Sequence, residues 1–120
     1  MPQILKVDLN TEAVFANART VLLAGGVVAY PTDTFYGLGV DPFNQEAVNR
    51  IFELKGREKN KPLILLISSR VQLETMVKEI TPAHSALIHK FWPGPLTLLF
   101  KPSSVIPENV LAGSNRIGIR

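Results

Sequence analysis

Apolar positions alternate along this chain between helical spacing and short unbroken runs. Residues 4–7 read as a short strand. Asn10 or Thr11 then caps a helix with Val14, Phe15, Ala18, Val21 and Leu22 on one face, and Gly25-Gly26 ends it. Residues 27–30 predict a short buried strand. A second helix runs from about Gln45 to Lys55, with Val48, Ile51, Phe52 and Leu54 apolar and Gly56 where it stops. "PLILLIS", residues 62–68, is continuously apolar, as in a strand covered on both faces. A third helix is expected over 70–78. Thr81-Pro82 opens a fourth, cap and first-turn proline in order, with Leu87, Ile88, Phe91 and Trp92 as its inner stripe. "WPGP" breaks that helix. "LTLLF" predicts a strand, Pro107 to Leu111 a short helix, and "RIGIR" alternates like a strand.

Helices interleaved with apolar strands predict one layered α/β domain over residues 1–120. The fold class is mixed α/β, α+β by strict class, with a twisted mixed β-sheet flanked by helices. The chain stops at Arg120 inside an expected strand, which suggests a truncated domain with an uncovered sheet edge or apolar face. Arg120 is then expected at a fraying end.

Composition narrows the class. A hydrophobic fraction of 46% with 19% charged residues suits a packed globule. There is no cysteine, which excludes disulfides and thiolate metal sites. The start lacks a signal-peptide layout and no apolar run is long enough to span a membrane, so a cytoplasmic protein is expected. The formal charge of +3 is compatible with an anionic partner.

Candidate chemistry gathers at three places. "PTDTFYGLG", residues 31–39, empties an apolar strand into hydroxyl and carboxyl groups, either as a turn or as the floor of a site. Lys55, Arg57, Lys59 and Lys61 crowd a helix-to-strand junction. Lys55 and Arg57 can project to one side of an extended segment and take a phosphate, although charge alone favours a solvated loop. Arg116 and Arg120 can share one side of a strand. His84 and His89 are five apart, which does not suit a shared metal, and read as surface or satisfied core residues. Tyr36 suits either a ligand or the core, the core being favoured. Gly37 and Gly39 form a G-x-G too common to indicate a dinucleotide.

The order "GGVVAYPTDTFYGLGVDPFNQEAVNRIFELKGREKNKPL", "FWPGPLTLLF", "RIGIR" resembles the YrdC-like family of threonylcarbamoyl-AMP synthases, from about Gly25 onward. The resemblance implies an ATP-using nucleotidyltransferase. It would join L-threonine, bicarbonate and ATP into threonylcarbamoyl-AMP and pyrophosphate, for modification of tRNA adenosine 37. It implies that Thr34 and Arg120 hold threonine. Lys55 and Arg57 would be the catalytic pair facing the ATP phosphates, with Lys61 and Arg116 as further nucleotide contacts. Mg²⁺ would accompany ATP without dedicated protein ligands. Possible partners are tRNA or other RNA and further tRNA-modification proteins. Leu66 stands where some members carry histidine, Arg116 where some carry a small hydroxyl residue, and no S-x-N motif of the family is matched. The isolated chain is therefore expected to be inactive. Two other readings stand beside this one: an RNA- or nucleotide-binding module without the activity, and a carbamoyl-transfer domain of the hydrogenase-maturation type.

Overall fold

The computed structural model describes residues 2–8 and 10–120. The elements run α1 (Thr11–Leu23), β1 (Val28–Tyr30), β2 (Gly37–Gly39), α2 (Gln45–Lys55), α3 (Arg70–Met76), α4 (Pro82–Phe91), β3 (Leu98–Phe100), α5 (Glu108–Leu111) and β4 (Ile117–Ile119). Residues 4–7 form no strand; Ile4 is 90% exposed and none of the described residues pairs its backbone into a ladder.

Local chemistry sets the helix ends. The Asn10 side chain accepts from Ala13 N–H, so Asn10 rather than Thr11 is the cap of α1. At the other end Gly25, at φ +84°, supplies the left-handed residue that lets Gly25 and Gly26 N–H bond back to Leu22 and Val21 carbonyls. Asn44 caps α2 and left-handed Gly56 ends it. Thr81 caps α4 in a reciprocal box with His84, whose Nδ1 accepts from Thr81 N–H. The other ring nitrogen of His84, 2.8 Å from the Leu99 carbonyl, therefore carries the hydrogen and donates. The ring also stacks on Phe100 at 4.2 Å, so His84 ties α4 to β3 as a structural residue. Helix α3 stops at Met76, short of residue 78, because the chain there pairs with residues 101–103: Lys78 N–H bonds the Lys101 carbonyl and Ser103 N–H the Met76 carbonyl.

Two antiparallel pairs carry the strands, the first a hairpin and the second closed across α5. β1 pairs with β2 through Tyr30↔Gly37 and Val28↔Gly39, and β3 pairs with β4 through Leu98↔Ile119 and Phe100↔Ile117. Residues 63–67 run parallel to the far side of β4, joined by a single Leu65↔Ile119 bridge. The bonds are Leu65 N–H to Gly118, Arg120 N–H to Leu65 and Ile67 N–H to Arg120. β4 thus has neighbours on both sides, and the backbone of Arg120 is pinned rather than frayed.

The core lies between this mixed sheet and helices α2, α3 and α5. Val48, Leu73, Phe100, Val110, Ile117 and Ile119 are at most 1% exposed. The opposite sheet face is open: Ile64 is 55%, Leu66 47% and Leu99 62% exposed. Residues 62–68 are therefore covered on one face only, because alternate side chains point away from the core. Other inward assignments also fall short. Phe15 is 61% exposed, and of the expected inner stripe of α4 only Ile88 and Trp92, the latter just past the helix end, pack against the core while Leu87 and Phe91 are exposed. β1 is half-buried rather than buried, because it borders a cavity. Total exposed surface is 8450 Å², against ~6,400 Å² for a compact monomer of this mass.

Candidate functional site

The polar stretch after β1 folds as the connection of the β1–β2 hairpin. Thr32 organises it. Its hydroxyl donates to the Phe35 carbonyl and accepts from Thr34 N–H at 3.2 Å. That donation uses the only hydrogen of Thr32 Oγ1. In the 3.3 Å contact between the two hydroxyls, Thr34 is therefore the donor. Thr34 Oγ1 in turn accepts from Arg120 Nη2 at 3.3 Å, across 86 residues of sequence. The polarity runs in one direction, from the Arg120 guanidinium through Thr34 and Thr32 to a backbone carbonyl. Arg120 commits one donor to this chain, and a guanidinium has five.

Two cavities meet at this point. The larger, about 620 Å³, lies between the hairpin with α1 on one side and α2 with residues 63–66 on the other. Thr34, Lys55, Arg57 and Arg120 all line it. The smaller, about 470 Å³, is bounded by Asp33, Ser68 to Arg70, and the apolar side chains of Leu73, Ile88 and Trp92. Tyr30, Thr32, Leu66 and Arg120 border both. Burial pushes the Tyr30 hydroxyl above its usual pKa, and the Arg120 charge partly opposes this. Tyr30 is therefore a neutral phenol, able to donate, at physiological pH. Trp92 is held at the mouth of the "WPGP" bend by a 2.8 Å bond from its indole N–H to the Leu96 carbonyl.

The sequence-derived candidates separate into two groups. Thr34, Lys55, Arg57 and Arg120 come together around one cavity. Lys61 and Arg116 border neither: Lys61 pairs with Glu58 at 3.9 Å in solvent, and Arg116 Nη1 donates to the neighbouring Asn115 carbonyl at 3.2 Å. Tyr36 is 78% exposed at the rim, not in the core. Tyr30, read from sequence only as part of a buried strand, is the residue that sequence reasoning missed. A signal for it exists. Glycines at 37 and 39 alternate along a strand paired to an aromatic, as they do where a ring lies flat on a neighbouring backbone.

Arg57 has a second task. Its Nε donates to the Lys61 carbonyl at 3.3 Å and its Nη2 to the Pro62 carbonyl at 2.7 Å, fixing the loop that leads into the sheet. Arg57→Ala is expected to lower stability by about 1–3 kcal/mol. Lys55→Ala, an exposed side chain with no ion-pair partner among the described residues, is expected to leave stability within about 0.5 kcal/mol of the wild type. Urea denaturation of both variants checks this; an Arg57→Ala protein as stable as the wild type would contradict it.

Among the described residues no group of three His, Cys, Asp or Glu side chains could hold a metal ion.

Known proteins share this fold. The Sua5/YciO/YrdC family, described as "Telomere recombination", matches residues 20–120. The threonylcarbamoyl-AMP synthase of Pyrococcus abyssi is 46% identical over 96 residues, 80% of this chain and 28% of the relative. That of Coxiella burnetii is 40% identical over 104 residues, 87% of this chain and 56% of the relative. The chain thus spans from about a quarter to a little over half the length of these curated relatives. The solved structure of P. abyssi Sua5 complexed with L-threonine superposes with a TM-score of 0.88 at 42% identity, covering 91% of this chain and 32% of that one. Escherichia coli YciO, 24% identical, shares the fold with a TM-score of 0.81 over 91% of this chain and 53% of its own. Most of the chain matches in sequence and in backbone course, including the hairpin, the basic junction and the strand ending at Arg120, and so the chain belongs to the Sua5/YciO/YrdC family.

Proposed function

We propose that this chain carries the amino-acid and nucleotide site of a threonylcarbamoyl-AMP synthase. The reaction joins L-threonine, bicarbonate and ATP into threonylcarbamoyl-AMP and pyrophosphate, for the modified adenosine at tRNA position 37. The observation that carries this reading is the Arg120–Thr34 pair, set in the same cavity as Lys55 and Arg57. A relative's structure with L-threonine and the relatives' name support it.

The chemistry suits the side chains. Threonine's amine adds to carbon dioxide derived from bicarbonate and loses a proton, giving a carbamate. A carbamate oxygen then attacks the α-phosphorus of ATP, and the bond to the β-phosphate oxygen breaks as pyrophosphate leaves. In the second step both partners, the carbamate and the triphosphate, are anionic. The protein's work is to offset repulsion and align the partners, which cations do without acting as nucleophiles. Arg120 holds the threonine carboxylate, Thr34 fixes the guanidinium, and Lys55 and Arg57 face the phosphates. Mg²⁺ enters as part of the ATP substrate, and no step is assigned to it. The acceptor tRNA and its modification proteins act downstream, in the cytoplasm; among the described residues no helix is long and apolar enough to cross a membrane.

The isolated 120-residue chain is expected to turn over little, because Thr34 and Lys55 are exposed and solvent weakens charge stabilisation. The test therefore sets residues 1–120 in place of the matched part of the C. burnetii relative. Threonine- and bicarbonate-dependent release of pyrophosphate by the hybrid is the expected result. Release that ignores threonine, or none when the relative itself is active, contradicts the reading.

A further inference from the structure

We propose that the hydroxyl of Tyr30 is a specificity-determining group that reads the β-hydroxyl of the amino acid held on Arg120, and so separates threonine from valine. The inference rests on Arg120 as the carboxylate-binding group and deepens that reading of the site.

Three observations carry it. First, the groups around Arg120 are apolar or already committed. Arg120 N–H bonds the Leu65 carbonyl and Ile67 N–H the Arg120 carbonyl, so Leu66 is the cross-strand neighbour of Arg120 and shares its sheet face. Leu66 can pack on a methyl group and cannot hydrogen-bond a hydroxyl. Thr32 Oγ1 is filled, with one hydrogen donated and two accepted. Thr34 Oγ1 donates to Thr32 and accepts from Arg120, so it keeps one lone pair and has no hydrogen to give. Second, the Tyr30 hydroxyl makes no hydrogen bond among the described residues, and it is not sealed off. The buried side-chain polar atom left without a partner among them is Asn109 Oδ1. Third, the ring lies on the larger cavity, which Thr34, Leu66 and Arg120 also line. A Cβ at Gly37 would lie 3.6 Å from Tyr30 Oη, and one at Gly39 would lie 3.5 Å from Oη and only 2.7 Å from Cε1. Neither glycine has a positive φ, so at Gly39 it is the ring, not the backbone, that needs the space. Thr32 Cγ2 is 3.7 Å from the same point over Gly37, which sets the hydroxyl beside the Arg120–Thr34–Thr32 chain. Burial keeps that hydroxyl protonated, and the Arg120 charge is felt there. A β-hydroxyl at this place donates to Thr34 and accepts from Tyr30, while the methyl group on the same carbon packs on Leu66. Valine puts a second methyl group there and leaves the phenol without a partner, a loss that discriminates more sharply than added apolar contact.

The test is titration of the chain with L-threonine and with L-valine, followed by amide chemical shifts. The wild type should favour threonine by about tenfold or more. Tyr30→Phe removes one oxygen that no described residue holds, so the fold should stand. It should weaken threonine binding by about tenfold and leave valine binding within about twofold, because valine makes no use of the hydroxyl. A tyrosine that only shaped the hairpin would move both affinities together. Equal losses for the two amino acids, or an unchanged ratio in Tyr30→Phe, therefore overturn the inference, and so does a wild type that binds both alike. In each of those cases threonine still binds and the functional reading stands. A wild type that binds no threonine overturns the functional reading, and the inference falls with it.

Discussion

Arg120→Ala is expected to cut threonine affinity by about 10- to 150-fold, the equivalent of about 1.5–3 kcal/mol for a lost charge-assisted bond. The fold should survive. The backbone of Arg120 makes its two sheet bonds, to Leu65 and Ile67, whatever its side chain. The guanidinium's described protein hydrogen bond, to Thr34, is solvent-exposed, so its loss leaves no buried group unpaired. Thr34→Val should weaken threonine binding less than Arg120→Ala, because it removes the group that orients the guanidinium and leaves the charge. Thr32→Val should act on the hairpin instead, through the Phe35 carbonyl and Thr34 N–H that its hydroxyl joins. Lys61→Ala and Arg116→Ala serve as charge-matched controls away from the cavity, and should leave threonine affinity within about twofold. Calorimetric titration separates these outcomes. An Arg120→Ala protein that binds threonine as the wild type does would remove the residue from the site.

The largest effect on stability is expected at Phe100. Its side chain is 1% exposed, packs in the core of α2, α3, α5 and the mixed sheet, and stacks on the His84 ring. Phe100→Ala should cost about 3–5 kcal/mol through lost burial and the cavity left behind. Domains of this size hold only about 5–15 kcal/mol in total, and this one leaves an apolar sheet face open. The thermal midpoint should fall by more than ~10 °C. Its chain neighbour Leu99 points to that open face and is 62% exposed, so Leu99→Ala should change stability by less than ~0.5 kcal/mol. The pair reads out which sheet face is the core. Equal costs at the two positions would contradict the packing described above.

The legible parts of this fold were those set by neighbours in sequence. Thr81-Pro82, Gly25 and Gly56 announce helix ends because a cap acts within a few residues. Helices α2 and α4 therefore lie close to where their sequences place them. The strands were less legible. An unbroken apolar run at 62–68 states that the residues are apolar, not that both faces find partners, and Ile64 and Leu66 do not. β2 was hidden because Gly-Leu-Gly has no strand propensity of its own; its glycines answer to Tyr30 on the paired strand. The site followed the same rule. Thr34, Lys55, Arg57 and Arg120 were named from sequence, but their convergence is a tertiary fact. Nothing near Arg57 foretells that its guanidinium spends two donors on the Lys61 and Pro62 carbonyls. Residue type indicates what a side chain can do, and only packing decides whether its donors are still free to do it.

The most direct test of the account is residue-resolved mapping of where small substrates bind. Titrate the ¹⁵N-labelled chain with L-threonine and then with ATP, and follow every backbone amide. Threonine should shift the amides around Thr34, Gly37 and Arg120, and ATP those around Lys55 to Arg57. Lys61, Arg116 and α5 should stay in place apart from effects passed along the loop. Threonine shifts centred away from the Arg120–Thr34 junction, or absent at concentrations that shift the intact relatives, would contradict the assignment of this cavity as the amino-acid site.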